Sequence, residues 1–143
     1  MASDVFLDSS YAIALAAASD QLHARAIEVG RKTRAEQRRV VTTHAVLCEV
    51  ANSLARRRYR RAAVKLLRSI QGDRTFEVVP VSNELFAKGL ELYSQRLDKQ
   101  WGLTDCLSFI VMQERGITEA LTADEHFRQA GFVPLLGSSG DAP

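Results

Sequence analysis

Two kinds of apolar run alternate along the chain: short β-prone clusters, and longer stretches whose apolar residues recur at helical spacing. Asp4 to Asp8 (DVFLD) is the first cluster, and it runs into Ser9 and Ser10, good helix caps, ahead of the Ala-rich stretch Tyr11 to Ala18. That order predicts a strand feeding directly into a helix. Asp20 offers a second cap for a helix over Leu22 to Gln37, and Arg39 to Thr43 reads as the next strand. His44 to Arg58 places Val46, Leu47, Val50, Ala51 and Leu54 on one helical face, and Arg60 to Gln71 adds a basic amphipathic helix ended by Gly72-Asp73. Phe76 to Val81 is a third strand with Pro80 near its end, after which Ser82 caps a helix reaching about Arg96. A polar loop with Trp101 and Gly102 leads to Thr104 to Arg115, apolar over most of its surface and so expected to be surrounded by protein, with Gly116 as its stop. Glu119 to Ala123, Asp124 to Ala130 and Phe132 to Leu136 complete the series as strand, short helix and edge strand.

Strands that alternate with helices in this way predict a mainly parallel central sheet covered on both faces, a three-layer α/β/α sandwich. One domain is expected over residues 1–136, without internal repeat or linker, and residues 137–143 read as a disordered tail. Ligands of such sheets bind beyond the carboxyl ends of the strands, so the residues that follow each strand are the first candidates for chemistry.

Asp8 ends the first strand and Asp124 follows the fourth, which puts both carboxylates on one edge of the sheet. Each has a structural alternative. Asp8 is placed to cap the helix that starts near Ser9, and Thr122-Ala123-Asp124-Glu125 fits a capping box with Thr122 as cap and Glu125 reaching back. Glu49 lies within the helix after the second strand, with Asn52, Ser53 and Arg56 on its polar flank, and taken alone it fits a solvated position. Asp105 opens the most apolar helix, where the dipole favours a carboxylate and Thr104 is available as the cap. Acids gathered on one rim hold protons more tightly unless a cation sits among them, and carboxylate oxygens suit Mg²⁺ or Mn²⁺.

Composition narrows the remaining classes. The 143 residues, 46% hydrophobic and 25% charged, suit one globular core that needs neither disulfide nor structural metal. Cys48 and Cys106 lie in apolar stretches without CxxC spacing and are expected as buried free thiols in a reducing cytoplasm. His23, His44 and His126 form no HxH or HExxH pattern, which argues against zinc and leaves them as surface or capping residues. The apolar run Tyr11 to Ala18 has the length of a signal-peptide core, but Asp4 and Asp8 precede it and no Lys or Arg comes before Arg25. No stretch of about 18 apolar residues exists, so a cytoplasmic protein without membrane association is the expectation.

Four ordered motifs carry a resemblance. Phe6-Leu7-Asp8-Ser9-Ser10, His44-Ala45-Val46-Leu47-Cys48-Glu49-Val50-Ala51-Asn52, Trp101-Gly102-Leu103-Thr104-Asp105-Cys106-Leu107-Ser108-Phe109, and Leu121-Thr122-Ala123-Asp124-Glu125-His126-Phe127 closing on Ala130-Gly131-Phe132 resemble the PIN-domain family, and within it the VapC-type toxins. The resemblance covers about Val5 to Leu136 and implies a PIN fold and a Mg²⁺- or Mn²⁺-dependent endoribonuclease. Asp8, Glu49, Asp105 and Asp124 match the family's acidic quartet. On that footing Asp8, Asp105 and Asp124 bind the metal directly or through water, and Glu49 acts through a metal-bound water or as general base. Ser9, Asn52 and Thr104 resemble positions that orient the acids. Asp98, within Arg96-Leu97-Asp98-Lys99, resembles a frequent family feature and is read as loop structure. An antitoxin segment in the acidic cleft, a homodimer, and RNA products with 5′-phosphate and 3′-hydroxyl ends are further implications.

The net charge of +2 hides a divided map: 14 basic and four acidic residues between Arg25 and Arg74 give +10, and the rest of the chain carries −8. Arg56, Arg57, Arg58, Arg60 and Arg61 flank Tyr59 just past the Glu49 helix, close enough in sequence to guide RNA phosphates toward the acids. A solvated turn, or a grip on an acidic partner, would use the same residues. Tyr59 and Trp101 are candidates for stacking on bases or for packing. Two other classes compete with the nuclease. A catalytically idle RNA-binding or regulatory PIN module would be favoured by an incomplete quartet. A receiver-like phosphorylation domain would need a paired acidic motif after the first strand and a lysine after a late one, and Asp8-Ser9-Ser10 and Asp124-Glu125-His126 do not supply them.

Overall fold

The computed structural model describes residues 2–137. Its elements are β1 (Val5–Leu7), α1 (Ser9–Ala16), α2 (His23–Ala35), β2 (Val40–Thr43), α3 (His44–Ser53), α4 (Arg57–Gly72), β3 (Phe76–Val79), α5 (Asn83–Gln95), α6 (Leu103–Arg115), β4 (Glu119–Leu121), α7 (Glu125–Gln129) and β5 (Val133–Pro134). The strands form one sheet in the order β3-β2-β1-β4-β5, with every neighbouring pair parallel. The expected α/β/α architecture therefore holds, and the sheet is parallel throughout.

Position in the sheet explains the strand sequences. Central β1 and β2 are buried at every residue and read as unbroken β-prone runs, as a parallel strand covered on both faces requires. Edge strand β3 is half-buried and stops before Pro80, and β5 is two residues ending on Pro134, where the missing N–H costs no inner ladder bond. The chain runs outward from β1 through β2 to β3, then crosses back to β4 and β5. Right-handed crossovers then put α1–α4 on one face and α5–α7 on the other. Packing agrees: α1 contacts α2, α3 and α4, α5 lies against α6, and α6 touches α7, while α3 also reaches α6.

Several boundaries differ from the sequence reading. The helix expected over His44 to Arg58 ends at Ser53, where buried Leu54 turns the chain. The guanidinium of Arg60 stabilises the break by donating to the Ala55 carbonyl through Nε at 3.1 Å and Nη2 at 2.7 Å. Arg57–Arg61 thus form the first turns of α4 rather than a turn between helices. Cys106 is buried as expected, but Cys48 is exposed, because it falls on the side of α3 opposite the buried Val46 and Val50. Gly137, the first residue of the expected tail, is buried and donates to the Pro134 carbonyl at 3.1 Å, and residues 138–143 lie outside the described residues. Among the described residues no helix is long and apolar enough to cross a membrane.

Beneath the carboxyl edge lies an aromatic cluster. Phe109 of α6 meets Trp101 and Phe127 edge-on, each at 5.0 Å between centroids, and Phe127 of α7 lies 6.4 Å from Phe6 of β1. These contacts seat the first turns of α6 and α7 against the end of β1. Gly89 lets α5 approach α6 closely, since a Cβ there would stand 2.5 Å from Leu107 Cδ2.

Candidate active site

The crossing-back of the chain leaves a switch point between β1 and β4, and the acids converge there. Asp8 follows β1 with its N–H donating to the Leu121 carbonyl at 3.1 Å. Its backbone occupies the cap position of α1, yet its side chain makes no cap bond. Asp8 Oδ2 instead accepts from Thr122 Oγ1 at 2.7 Å and from Ser10 Oγ at 3.3 Å. Thr122, wholly buried, also accepts the Asp124 N–H at 3.0 Å, and its hydroxyl lies 3.0 Å from Ser10 Oγ. The hydroxyl read as a helix cap is therefore the link between Asp8 and the turn that carries Asp124. It follows from the strand register, which pairs Leu7 with Leu121 and makes the next residues neighbours, and the sequence carries no local signal for it.

Asp124 itself caps α7, accepting the His126 N–H on Oδ1 at 2.8 Å. Capping and site membership are compatible here because the bond uses one oxygen. Asp105 is the third residue of α6, whose cap is Gly102 and not Thr104, and its Oδ2 accepts the Gly102 N–H at 3.3 Å. The imidazole of His126 lies in the same cluster, with Nδ1 2.9 Å from Asp105 Oδ2 and 3.5 Å from Asp124 Oδ1. His126, read as a surface or capping residue, is half-buried in this cluster, where one ligand-capable atom each from Asp105, Asp124 and His126 lie within 4.8 Å of one another. His23 ties α2 to α1 through the Ala14 carbonyl at 2.7 Å, and His44 is exposed beside the Thr43 cap.

Glu49 is half-buried on α3, where Oε1 accepts from Ser9 Oγ at 2.5 Å. Ser9 thus orients an acid, while Asn52 is exposed and has no hydrogen bond to an acid among the described residues. Thr104 has no side-chain hydrogen bond to an acid among the described residues, and its carbonyl accepts from Ser108 Oγ within α6 at 3.0 Å. The hydrogen bonds above fall on Oδ2 of Asp8, Oε1 of Glu49, Oδ2 of Asp105 and Oδ1 of Asp124, and the Ser9 N–H is a further donor to Asp8.

Burial dominates the electrostatics. Asp8, 2% exposed, is pushed up to about 6, chiefly by loss of solvent, with the Thr122 hydroxyl opposing and the charges of Asp105 and Glu49 adding. Burial also raises Asp105, its bond to His126 opposes, and Asp124 adds repulsion. Both shifts are those of carboxylates that would be relieved by a bound cation.

Around the rim, Trp101 is 7% exposed, donates Nε1–H to Gln129 at 3.0 Å and is covered by the Arg96 guanidinium at 4.9 Å, so its role is packing. Asp98 is held by both Arg96 bonds at 3.0 Å, which pull it down to about 2, consistent with loop structure. α3 and α4 together form the crossover from β2 to parallel β3, and the first turn of α4 is tied to the segment after α1 by Tyr59 OH, 3.3 Å from Ser19 Oγ. Arg56, Arg57 and Arg61 are exposed, Arg58 covers the Tyr59 ring at 5.3 Å and Arg60 is held by Ala55. A cavity of about 550 Å³ lined by Tyr11, Arg34, Leu66 and Ile70 has none of the four acids in its lining.

The PIN domain model matches residues 5–133. The chain belongs to the PIN domain family. It is 32% identical over 131 residues to the 23S rRNA-specific endonuclease VapC20 of Mycobacterium tuberculosis, from strain CDC 1551 / Oshkosh and from strain ATCC 25618 / H37Rv, across 92% of this chain and 97% of the relative. The crystal structure of VapC20, titled a Sarcin-Ricin loop cleaving toxin, matches with a TM-score of 0.80 at 30% identity, covering 91% of this chain and 97% of that one. The PIN fold and the VapC likeness read from the four motifs both hold.

Proposed function

We propose that this PIN-domain chain is a divalent-metal-dependent endoribonuclease and the toxin of a toxin-antitoxin pair. The supporting observation is the hydrogen bonding of the acids: Glu49, Asp105 and Asp124 are each held through one oxygen and keep the other clear of these bonds, beside a buried Asp8 held by Thr122, Ser10 and the Ser9 N–H. Such all-oxygen donors fit Mg²⁺, with Mn²⁺ as alternative. Asp8, Asp105 and Asp124 would hold the ion, with Glu49 acting through a metal-bound water or as general base. Bound there, the ion supplies Lewis acidity at the phosphate and a water of lowered pKa. The chain's own part is orientation: Thr122 fixes Asp8, Ser9 fixes Glu49, the Gly102 N–H fixes Asp105 and the His126 N–H fixes Asp124.

The likeness to a 23S rRNA-specific endonuclease supports ribosomal RNA as the substrate, with Arg56, Arg57 and Arg61 contacting phosphates beside the acids. An antitoxin segment entering the acidic rim would block the same oxygens. For the expected homodimer, the supporting surface is the face of α5 with Phe86, Leu90 and Tyr93 partly exposed. A cytoplasmic location accords with these partners. Asp105→Asn decides the catalytic assignment. The variant should keep the wild-type circular dichroism spectrum and lose Mg²⁺-dependent cleavage of ribosomal RNA, while chelation should silence the wild type. Unchanged cleavage by Asp105→Asn overturns the proposal.

A further inference from the structure

We infer that His126 is a positioning residue: its ring holds one oxygen of Asp105 so that the other faces the cation, and it is not itself a ligand. The inference rests on the metal-site reading above and deepens it. Nδ1 of His126 lies 2.9 Å from Asp105 Oδ2. An ionised carboxylate only accepts, so at that distance Nδ1 carries the hydrogen and is taken up by Asp105, which leaves Nε2 as the only lone pair of the ring. The only other donor to this oxygen among the described residues is the Gly102 N–H at 3.3 Å, a longer bond. The backbone N–H of His126 holds Asp124 Oδ1 at 2.8 Å. One residue thereby orients two acids, through its ring and through its main chain.

The ring is itself well placed for this. Phe127, next in sequence, is wholly buried and packs edge-on against Phe109 at 5.0 Å, which anchors α7 against the helix that carries Asp105. The competing role is a nitrogen ligand completing a set with Asp105 and Asp124, whose atoms lie within 4.8 Å of it. A hard cation among carboxylates favours the oxygens over the imidazole. Groups that orient ligands are worth a tenfold to hundredfold change in metal affinity, so the effect is measurable without any assay of cleavage.

Calorimetric titration of Mg²⁺ and Mn²⁺ into the wild type, His126→Ala and His126→Asn, each checked for its fold by circular dichroism, tests the assignment. His126→Ala should bind at least about tenfold more weakly. His126→Asn, whose amide donates from near the place of Nδ1, should recover most of that affinity. In the wild type, ¹⁵N NMR should show Nδ1 of His126 still protonated and the Nε2 resonance unmoved after Mg²⁺ is added, a readout that needs no variant to fold. Loss of that proton, or a coordination shift of Nε2, on Mg²⁺ binding makes His126 a ligand and overturns the inference, as does wild-type affinity in His126→Ala. A wild type that binds neither ion overturns the metal-site reading itself, which separates the two failures.

Discussion

Thr122 Oγ1 donates to Asp8 Oδ2 at 2.7 Å, joining residues 114 positions apart across the junction of β1 and β4. The hydroxyl is buried and also accepts the Asp124 N–H, so two acids of the rim depend on it. Thr122→Val keeps the shape and removes the hydroxyl. A buried acceptor left unsatisfied costs about 1–3 kcal/mol. Urea unfolding at pH 8 without metal should show a loss of that size, and an unchanged midpoint would remove Thr122 from the site's support.

Asp8 makes stability depend on pH. Its folded pKa, pushed up to about 6 by burial, stands above the ordinary 3.8, so the folded metal-free chain binds its proton more tightly than the unfolded chain does. The associated stability is complete below about pH 4 and is lost as pH rises through about 6. Asp8→Asn should therefore be more stable than the wild type at pH 8 by about 2–3 kcal/mol and close to it at pH 4. Mg²⁺ should raise the melting temperature of the wild type far more than that of Asp8→Asn. Parallel pH profiles for the two chains would refute the assignment.

The arginines of α4 divide by their surroundings. Arg56, Arg57 and Arg61 are exposed, whereas Arg60 is bonded to Ala55. Replacing the first three by Gln should weaken RNA binding and reduce the slope of log K against log salt by about 0.7 for each single-strand phosphate that is no longer neutralised. Arg60→Gln should act mainly on stability. Equal salt slopes for the triple variant and the wild type would count against RNA binding along α4.

Gly89 sets the distance between α5 and the Asp105 helix. A Val side chain there would meet Leu107, which is buried at 4% exposure and has little room to move. Gly89→Val should cost about 1–3 kcal/mol by overpacking, outweighing its better helix propensity. Thermal melts check this directly, and a melting temperature at or above the wild type's would show that the helices separate freely.

Phe86, Leu90 and Tyr93 are 45%, 46% and 49% exposed, at helical spacing along α5. Leu90→Glu should convert the expected dimer to a monomer in sedimentation velocity without changing the far-ultraviolet spectrum. A dimer that persists moves the interface elsewhere.

The alternation of strands and helices was legible because each depends on local periodicity, and Asp8 and Asp124 could be placed on one edge because both directly follow strands. The break between α3 and α4 was not, since Arg56 to Arg61 continue a helical composition and only the buried turn at Leu54 interrupts them. Cys48 shows the same limit at the level of one residue: an apolar neighbourhood in sequence includes positions that point outward once the helix closes.

The sequence by itself determined the parallel α/β plan and the basic middle of the chain, because strand propensity, helical periodicity and charge are properties of neighbouring residues, and it offered the four acids as a set only through the resemblance of their motifs to the PIN family. Only the tertiary structure decided that Thr122 serves Asp8, that Ser9 serves Glu49 and that His126 joins Asp105. Those hydrogen bonds bridge residues 114, 40 and 21 positions apart, and they depend on strand order and on how α1, α3, α6 and α7 pack. Long-range geometry of that kind has no local signature, so a hydroxyl that looks like a cap and a histidine that looks like surface acquire their roles only when the sheet brings its ends together.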